Sequence, residues 1–357
     1  MDVETKIELV MRPPASEVVT GEELKALLET NEHPRHYIGF EISGMLHLGS
    51  GYIAAAKIKD LEQAGFRTSI FFADYHTWIN RKLGGDLETI KKVARTYYQK
   101  AFESLGLGKT NFVFSSDLYR DLDYWTLVIG VANEMTLARV MRTLTIMGRK
   151  EKEVNRVAQL LYTPMQIADM FFMDVDLAHA GMDQRKAHMA GREIAPSLGK
   201  KKPVALHHSL LMGLLEPRRA GYDESEMLDL QISSKMSKSK PGTCIFIHDS
   251  PDSIRNKMRD AFCPPKETEN NPVLEHCRLI VFRESKSLEI NRPAKYGGKL
   301  EIHSYEELQD IYRKGELHPM DLKGAVAEAL IKILEPPRRY FEAHPGLLDV
   351  FKEVKIE

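Results

Sequence analysis

Residues 37–63 read YIGFEISGMLHLGSGYIAAAKIKDLEQ, and this stretch determines the fold that the rest of the chain has to complete. Its first five residues are mostly apolar and are typical of a buried strand. Residues 43–50 carry two glycines into a turn, and a helix is predicted from Gly51 to Gln63. A strand, a glycine-containing turn and a helix N-terminus in this order can hold a phosphate group in doubly wound α/β folds.

Strands and helices continue to alternate downstream of this unit. Further strands are predicted over residues 68–74, 111–114, 176–181 and 203–207, with a long helix over 86–105 and mostly helical sequence over 123–173. This alternation indicates βαβ units and a parallel sheet. Upstream, residues 1–34 are predicted to form two short amphipathic helices, and Thr20 to Glu23 is a capping box that opens the second.

The sequence changes in character after Gly242, where polar, proline-rich loops precede helices predicted near residues 304–315, 320–334 and 336–342. We therefore predict three parts: a helical N-terminal extension over 1–34, an α/β catalytic domain over 35–242 and a mostly helical domain over 243–357.

Composition narrows the possible classes of protein. The chain has 357 residues, 43% of them apolar, and a net charge of −1, so any contact with nucleic acid must come from local basic patches. Its three cysteines form no CxxC pair, which argues against a disulfide framework or a zinc site. The charged N-terminus does not resemble a signal peptide, and no apolar run approaches the roughly 18 residues of a membrane span. A cytoplasmic protein is expected.

A second motif lies at residues 233–242, which read SSKMSKSKPG. Its lysines are point charges on flexible stems, and its hydroxyl and backbone N–H groups are donors that suit a mobile loop gripping a polyphosphate. A solvated basic linker is the alternative interpretation of such a run. The specific order Lys-Met-Ser-Lys-Ser, together with His47-Leu48-Gly49-Ser50 far upstream, favours the phosphate-binding role.

This pair of motifs resembles the signature of class I aminoacyl-tRNA synthetases. The resemblance implies a Rossmann-like doubly wound parallel sheet followed by a mostly helical C-terminal domain, and ATP with Mg²⁺ as the nucleotide substrate. It implies ATP contacts by His47, Gly49 and Lys238, with His47 donating to a phosphate. The catalytic set it implies is His47, Gly49, Ser50, Lys235, Met236, Ser237, Lys238 and Ser239. The family motif normally ends in histidine; Ser50 stands there and can donate a hydrogen bond but carries no charge.

The predicted helix near residue 165 carries Tyr162, Gln166 and Asp169 at spacings that place them on one face. Because a carboxylate among apolar neighbours is costly without a partner, Asp169 either caps or ion-pairs locally or belongs to a substrate pocket. Tyr37, on the first strand, could reach Asp169, so that the two would hydrogen-bond a substrate hydroxyl from either side.

These residues resemble the archaeal and eukaryotic branch of tyrosyl-tRNA synthetases. The resemblance implies that Tyr37 and Asp169 flank the substrate phenol. The other pocket residues it implies are Tyr162, Gln166 and Gln184 at the substrate's amino end, with Glu41, Asp74 and His76 lining the pocket. A site that hydrogen-bonds a hydroxyl rejects the analogue lacking it; tyrosyl-tRNA synthetases are the standard example of this rule, so the agreement is one of consistency. A tryptophan enzyme would need an indole N–H partner and no tyrosine–aspartate pair.

Contacts with RNA are also implied by the resemblance. Arg185 and Lys186 would contact tRNA, and Tyr296, His318 and Asp321 would stack on and read an anticodon base. The alternative is that Asp321 is an N-cap of a helix with no role in RNA binding. The adjacent His207 and His208 are not expected to bind a metal, because neighbours on a strand point to opposite faces.

The family further implies a homodimer formed through residues 115–160, with tRNA(Tyr), L-tyrosine and ATP as partners. Three alternatives remain open at this stage: a tryptophan–tRNA ligase, a tRNA-binding paralogue inactivated at Ser50, and a small-molecule nucleotidyltransferase, which would not need the C-terminal half.

Overall fold

A computed structural model describes residues 1–352 of the chain and is built around a six-stranded sheet. The strands of the sheet are β1 (Ala15–Val19), β2 (Arg35–Phe40), β3 (Arg67–Phe72), β4 (Asn111–Phe114), β5 (Leu177–Gly181) and β6 (Val204–His208). They lie in the order β1-β6-β5-β2-β3-β4, and all neighbours pair in parallel except β1 and β6. The doubly wound parallel sheet expected from the sequence is confirmed.

Helices cover both faces of the sheet and form most of the C-terminal part. The first nine are α1 (Val3–Met11), α2 (Gly21–Thr30), α3 (Ile53–Gln63), α4 (Asp74–Ile79), α5 (Leu87–Val93), α6 (Gln99–Phe102), α7 (Ser115–Leu118), α8 (Leu122–Asn133) and α9 (Leu137–Thr143). The others are α10 (Tyr162–Phe172), α11 (Arg185–Ile194), α12 (Glu226–Ser234), α13 (Pro251–Asp260), α14 (Pro272–His276), α15 (Phe282–Glu284), α16 (Tyr305–Lys314), α17 (Pro319–Ile333) and α18 (Glu335–Ala343). One π-helical segment, Ala94–Tyr98, joins α5 to α6, and a second, Glu103–Leu107, continues the run after α6, where one long helix was predicted.

The central strand β2 defines where a ligand can bind. The chain leaves β2 for β3 on one side and returns to β5 on the other, so the strand order reverses at β2. In open α/β sheets, the crevice outside the carboxyl ends of the strands at such a reversal is where ligands bind. The turn that contains His47 and the first residues of α4 both lie at this edge.

The N-terminal extension differs from its prediction. The two helices are present as α1 and α2, but the segment between them is β1, which pairs antiparallel with β6 and extends the sheet. Lys57 on α3 fastens this extension, because its fully buried ammonium donates to the carbonyl oxygens of Leu9, Val10 and Arg12 at 2.9, 3.0 and 2.6 Å. The periodicity of a five-residue strand is too short to separate from that of a helix, which is why it was missed.

The C-terminal helices α16, α17 and α18 match their predicted positions. A short antiparallel hairpin, β7 (Leu288–Ile290) with β8 (Leu300–Ile302), was not predicted. One buried apolar cluster includes Ile53 of α3 and Leu330 of α17, so the packing is continuous across residue 242. The boundary there stays a prediction from composition, and residues 353–357 of that domain lie outside the described part of the chain.

Candidate active site

The His47 turn closes on itself through the histidine ring. Nδ1 of His47 accepts hydrogen bonds from the backbone N–H groups of Gly49 and Ser50 at 3.1 and 3.2 Å, and the Ser50 hydroxyl accepts from the His47 N–H at 3.4 Å. Burial and the charges of Lys238 and Lys235 hold the pKa of His47 well below its usual value. The ring is therefore neutral with its proton on Nε2, which makes Nε2 a donor.

Residues 233–242, which were expected to form a mobile loop, are partly packed against the rest of the chain in this structure. Ser233 and Ser234 end helix α12, and Met236 is only 3% exposed, with its N–H donating to the Leu211 carbonyl at 2.7 Å. Gly49 lies beside Met236: a Cβ at residue 49 would be 3.5 Å from Cβ of Met236, an ordinary contact, and a tighter 3.3 Å from the His47 ring. The two signature motifs are thus in direct contact.

The two lysines of the motif have different partners. The Lys235 ammonium forms an ion pair with Asp183, which holds the pKa of Asp183 below its usual value although burial acts to raise it. The Lys238 ammonium lies 3.3 Å from the Tyr98 hydroxyl. Ser237 and Ser239 hydrogen-bond each other at 2.9 Å through their hydroxyls on the exposed side. Of the two cations, Lys238 therefore has the weaker restraint.

Gly39 forms an open floor for a pocket above the sheet. It is exposed although it lies on the central strand, and a Cβ at this position would come within 2.7 Å of the Tyr37 hydroxyl. The side chain of Tyr37 is buried against Phe71, with ring centroids 5.5 Å apart. The missing side chain at residue 39 leaves the Tyr37 hydroxyl beside an open space.

The Asp169 carboxylate lies at one end of this space, and its two oxygens differ in their hydrogen bonding. Its Oδ1 accepts hydrogen bonds from the hydroxyls of Tyr119 and Tyr124 at 2.9 and 3.0 Å, whereas Oδ2 is buried without a hydrogen-bond partner among the described residues. Burial raises the pKa of Asp169 to about 8. A buried acceptor without a donor is costly, so a hydroxyl donor placed between Tyr37 and Asp169 would satisfy it.

His76 and Asp74 stand on the same short helix but have different surroundings. His76 lies against the pocket, with Nε2 3.9 Å from Oδ2 of Asp169 and its ring edge-on to that of Tyr162 at 4.7 Å. Burial lowers the pKa of His76 to about 4, so the ring is neutral at pH 7. Asp74 instead accepts from the Ser115 hydroxyl and the Ser116 N–H, which joins α4 to α7. That Asp74 lines the pocket stays a prediction.

The opposite end of the pocket is polar, and Oε1 of Gln166 is buried there without a hydrogen-bond partner among the described residues. The Tyr162 hydroxyl donates to Oε1 of Glu41 at 2.8 Å, and the Gln166 amide donates to Oε1 of Gln184 at 3.3 Å. Burial raises the pKa of Glu41, while hydrogen bonds from Asn80 and Tyr162 act to lower it. The structure thus brings together Tyr162, Gln166 and Gln184, the residues expected at the amino end of the substrate.

The two basic residues that follow Gln184 form ion pairs with carboxylates of the same chain. Arg185 donates through Nε to both oxygens of Glu17, at 2.8 and 3.0 Å, and Lys186 pairs with Asp223 at 2.8 Å. Both side chains remain partly exposed, so contact with an RNA phosphate would require them to exchange partners.

Tyr296, His318 and Asp321 lie far along the chain, on the C-terminal part. Tyr296 is 61% exposed, as a stacking platform must be. The N-cap of α17 is His318, whose Nδ1 accepts from the Met320 N–H at 3.2 Å, and Asp321 lies in the first helical turn. The alternative of Asp321 as the cap is therefore wrong.

Three important groups were not found from the sequence. Tyr119 and Tyr124, which stack with centroids 4.1 Å apart and donate to Asp169, belong to an aromatic-rich segment with no distinctive spacing. Asp183, the partner of Lys235, was not singled out by the sequence. In the part of the chain that the structure describes, no group of three or more His, Cys, Asp or Glu side chains could hold a metal ion.

A neutral histidine donor and a lysine motif at one edge of a doubly wound sheet, beside a pocket with polar ends, define a site for activating a small molecule with a nucleotide. The family model described as tRNA synthetases class I (W and Y) matches residues 29–335. The chain belongs to this family of class I tRNA synthetases.

Individual relatives narrow the specificity. A tyrosine–tRNA ligase of Thermococcus gammatolerans is 50% identical over 373 aligned residues, covering 100% of both chains. A tyrosyl-tRNA synthetase of Pyrococcus horikoshii, solved with L-tyrosine, superimposes with a TM-score of 0.94 at 48% identity, covering 99% of this chain and 100% of that one. A tryptophanyl-tRNA synthetase of Aeropyrum pernix, at 19% identity and a TM-score of 0.67, shares the fold. Within the family, this chain belongs to the tyrosyl-tRNA synthetases.

Proposed function

We propose that this chain is a tyrosine–tRNA ligase that activates L-tyrosine with ATP and then transfers tyrosine to the 3′ end of tRNA(Tyr). The observation that carries the specificity is the buried Asp169 carboxyl near Tyr37, whose Oδ2 has no hydrogen-bond partner among the described residues. A phenol hydroxyl can donate to Oδ2 and accept from the Tyr37 hydroxyl. Phenylalanine would leave both groups unpaired, and an indole places its N–H at a different depth.

In the first step, an oxygen of the tyrosine carboxylate attacks the α-phosphorus of ATP. The bond to the bridging oxygen breaks, and pyrophosphate leaves with the electron pair. No covalent enzyme intermediate forms, so the chain contributes positioning and charge stabilisation. His47 donates through Nε2 to a phosphate oxygen, and Lys235 and Lys238 balance the charge that develops on the leaving group.

Closure of the Lys-Met-Ser-Lys-Ser segment is part of this proposal. Among the described residues, Lys238 hydrogen-bonds the Tyr98 hydroxyl alone, at 3.3 Å, so a small movement would direct it to the phosphates. Mg²⁺ would arrive on the phosphate oxygens of ATP and neutralise their charge, with no protein cage required. In the second step, a terminal ribose hydroxyl of tRNA attacks the tyrosyl carbonyl and AMP leaves.

Binding of tRNA would use two surfaces. Arg185 and Lys186, after exchanging their present partners, would contact the acceptor end near the active site. Tyr296 would stack on an anticodon base while His318 and Asp321 read its edge. The exposure of Tyr296 supports this assignment.

A homodimer formed through residues 115–160 is also proposed. Four large apolar side chains in this region are 62–82% exposed, which is unusual for a surface that stays in water; they are Leu122, Ile129, Leu137 and Val157. Sedimentation of the chain and of its Leu137→Asp variant tests this: a dimer that the substitution dissociates is expected, and a monomeric parent chain would contradict it.

Charging of tRNA is a cytoplasmic reaction, and we place the protein there. The three cysteines are buried and unpaired, as in a reducing compartment. No helix of the described residues is long and apolar enough to cross a membrane.

The test of the proposed function is exchange of pyrophosphate into ATP, followed by charging of tRNA(Tyr). Exchange that depends on tyrosine, with tyrosine then found on the tRNA, is expected. Exchange supported equally by phenylalanine would contradict the role of Asp169.

A further inference from the structure

Glu41 is the carboxylate at the polar end of the pocket. Its Oε1 accepts from the Tyr162 hydroxyl at 2.8 Å and from the side-chain amide of Asn80 at 2.9 Å. These two donors fix the plane in which the carboxylate can point. The contacts that fix the Asn80 side chain therefore also determine the orientation of the Glu41 carboxylate.

Every polar group of the fully buried Asn80 side chain is used. Its Nδ2 donates to Oε1 of Glu41 and, at 3.0 Å, to the Met147 carbonyl, while its Oδ1 accepts from Nε of Arg149 at 2.6 Å. A flipped amide would turn its oxygen toward a carboxylate and a carbonyl, and its NH₂ toward a guanidinium. Three repulsive contacts would replace three hydrogen bonds, so this network fixes one orientation.

Arg149 is held by the same residue that it orients. Besides its contact to Oδ1, it donates through Nη2 to the backbone carbonyl of Asn80 at 2.8 Å. The guanidinium fork thus spans a side chain and a backbone oxygen of one residue. A lysine, with a single ammonium, matches this two-point geometry less well.

The residues just before Arg149 hold a second group of the pocket. The Ile146 carbonyl accepts from the Gln184 amide at 2.9 Å, and Gln184 in turn accepts from Gln166. We name residues 146–149 the backing segment. It fixes Gln184 through Ile146, and Glu41 through Met147, Arg149 and Asn80.

We propose that Asn80 and Arg149 of the backing-segment network are positioning residues that direct the Glu41 carboxylate at the ammonium group of the amino-acid substrate. This inference rests on the proposed function, because it takes the substrate to be an amino acid bound with its ammonium group at this end. Neither residue touches the substrate. Loss of the Asn80 amide would leave Glu41 with Tyr162 as its remaining donor among the described residues, and would raise the already raised pKa of Glu41 further.

The experiment compares two ligands that differ only in the ammonium group: L-tyrosine and 3-(4-hydroxyphenyl)propanoate. Their dissociation constants are measured by calorimetry without ATP for the parent chain, Arg149→Met, Asn80→Ala and the double variant. A hydrogen bond to a charged group changes an equilibrium about tenfold to a hundredfold. Tyrosine affinity is expected to fall by about that factor, whereas the affinity for the propanoate and the KM for ATP change less than about threefold.

The control is Arg156→Met, which removes an arginine that lines the same cavity as Arg149 and that, among the described residues, makes no hydrogen bond to Asn80. It is expected to bind both ligands like the parent. The double variant is expected to lose no more than Asn80→Ala alone, because Arg149 acts through Asn80. Arg149→Lys is expected to recover part of the affinity, and melting temperatures of all variants report whether each one is folded.

Equal losses for tyrosine and the propanoate in a folded variant would contradict the inference, and so would an unchanged tyrosine affinity or additive losses in the double variant. Failure of the proposed function is a separate result. If the parent chain binds neither ligand and exchanges no pyrophosphate with tyrosine, the substrate class is wrong. If the parent does both and Arg149→Met matches it, only the positioning role is wrong.

Discussion

Replacing Asp169 with alanine removes the group that we assign to recognition of the substrate phenol. The Tyr119 and Tyr124 hydroxyls satisfy Oδ1, and Oδ2 is left for the substrate. Burial keeps Asp169 protonated at pH 7 in the ligand-free chain, and a phenol that donates to Oδ2 favours the ionised form. One hydrogen bond to that carboxylate is worth about 1.5–3 kcal/mol, or about tenfold to a hundredfold in kcat/KM. Asp169→Ala should lose about that factor for tyrosine and little for phenylalanine, which has no hydroxyl. The KM for ATP should stay within about threefold.

The assay is pyrophosphate exchange at varied tyrosine, phenylalanine and ATP. Because Asp169→Ala also leaves two buried hydroxyls without an acceptor, it should lower the stability of the fold by about 1–3 kcal/mol. Asp169→Asn keeps an acceptor for them and serves as the better folded companion. Asp174→Ala, an exposed carboxylate in ion pairs with Arg35 and Lys201, is the control. An unchanged ratio of tyrosine to phenylalanine activity in folded Asp169→Ala would refute the pocket assignment.

Three further predictions concern charge and RNA. Because the pKa of Asp169 is raised to about 8, the folded chain keeps the proton on this carboxyl up to about pH 8, whereas the unfolded chain releases it near pH 4. Between these pH values the unfolded chain binds fewer protons than the folded chain, so the contribution of Asp169 to the free energy of unfolding falls as pH rises. The melting temperature of the parent should therefore decline relative to Asp169→Asn across that window, and parallel curves would contradict it. Lys238→Ala should lower kcat for exchange by about 10²–10³-fold and leave the KM for tyrosine unchanged. Lys240 is an exposed neighbour on the same segment, and Lys240→Ala should have little effect on kcat. Equal losses of kcat in the two variants would indicate a general electrostatic effect and contradict a specific role for Lys238. Tyr296→Ala should raise the KM for tRNA by about tenfold, as loss of one stacked base does, and leave pyrophosphate exchange unchanged; slower exchange would contradict a role limited to RNA.

The sequence predicted the parts of the fold whose signals are local. The strand at Asn111–Phe114 and the helices after residue 304 lie where periodicity placed them, because apolar spacing and turn residues decide them. The strand β1 was missed, since its identity depends on pairing with β6, a tertiary contact that five residues do not reveal.

The site shows the same division. The helix face with Tyr162, Gln166 and Asp169 follows from spacing alone, and the two signature motifs follow from their order in the sequence. The donors to Asp169 do not: Tyr119 and Tyr124 reach it only because α7 and α8 pack against α10. The burial of Met236 was not predicted either, because it depends on tertiary contacts with Gly49 and with the Leu211 carbonyl.

We expect this pocket to activate tyrosine and to select it by its hydroxyl. Pyrophosphate exchange into ATP, measured separately with tyrosine, tryptophan and phenylalanine, tests this most directly. Exchange with tyrosine alone is expected. Exchange with tryptophan would keep the fold and overturn the pocket. No exchange with any of them, from a folded chain that still binds tRNA, would contradict the proposed activity and direct attention to Ser50.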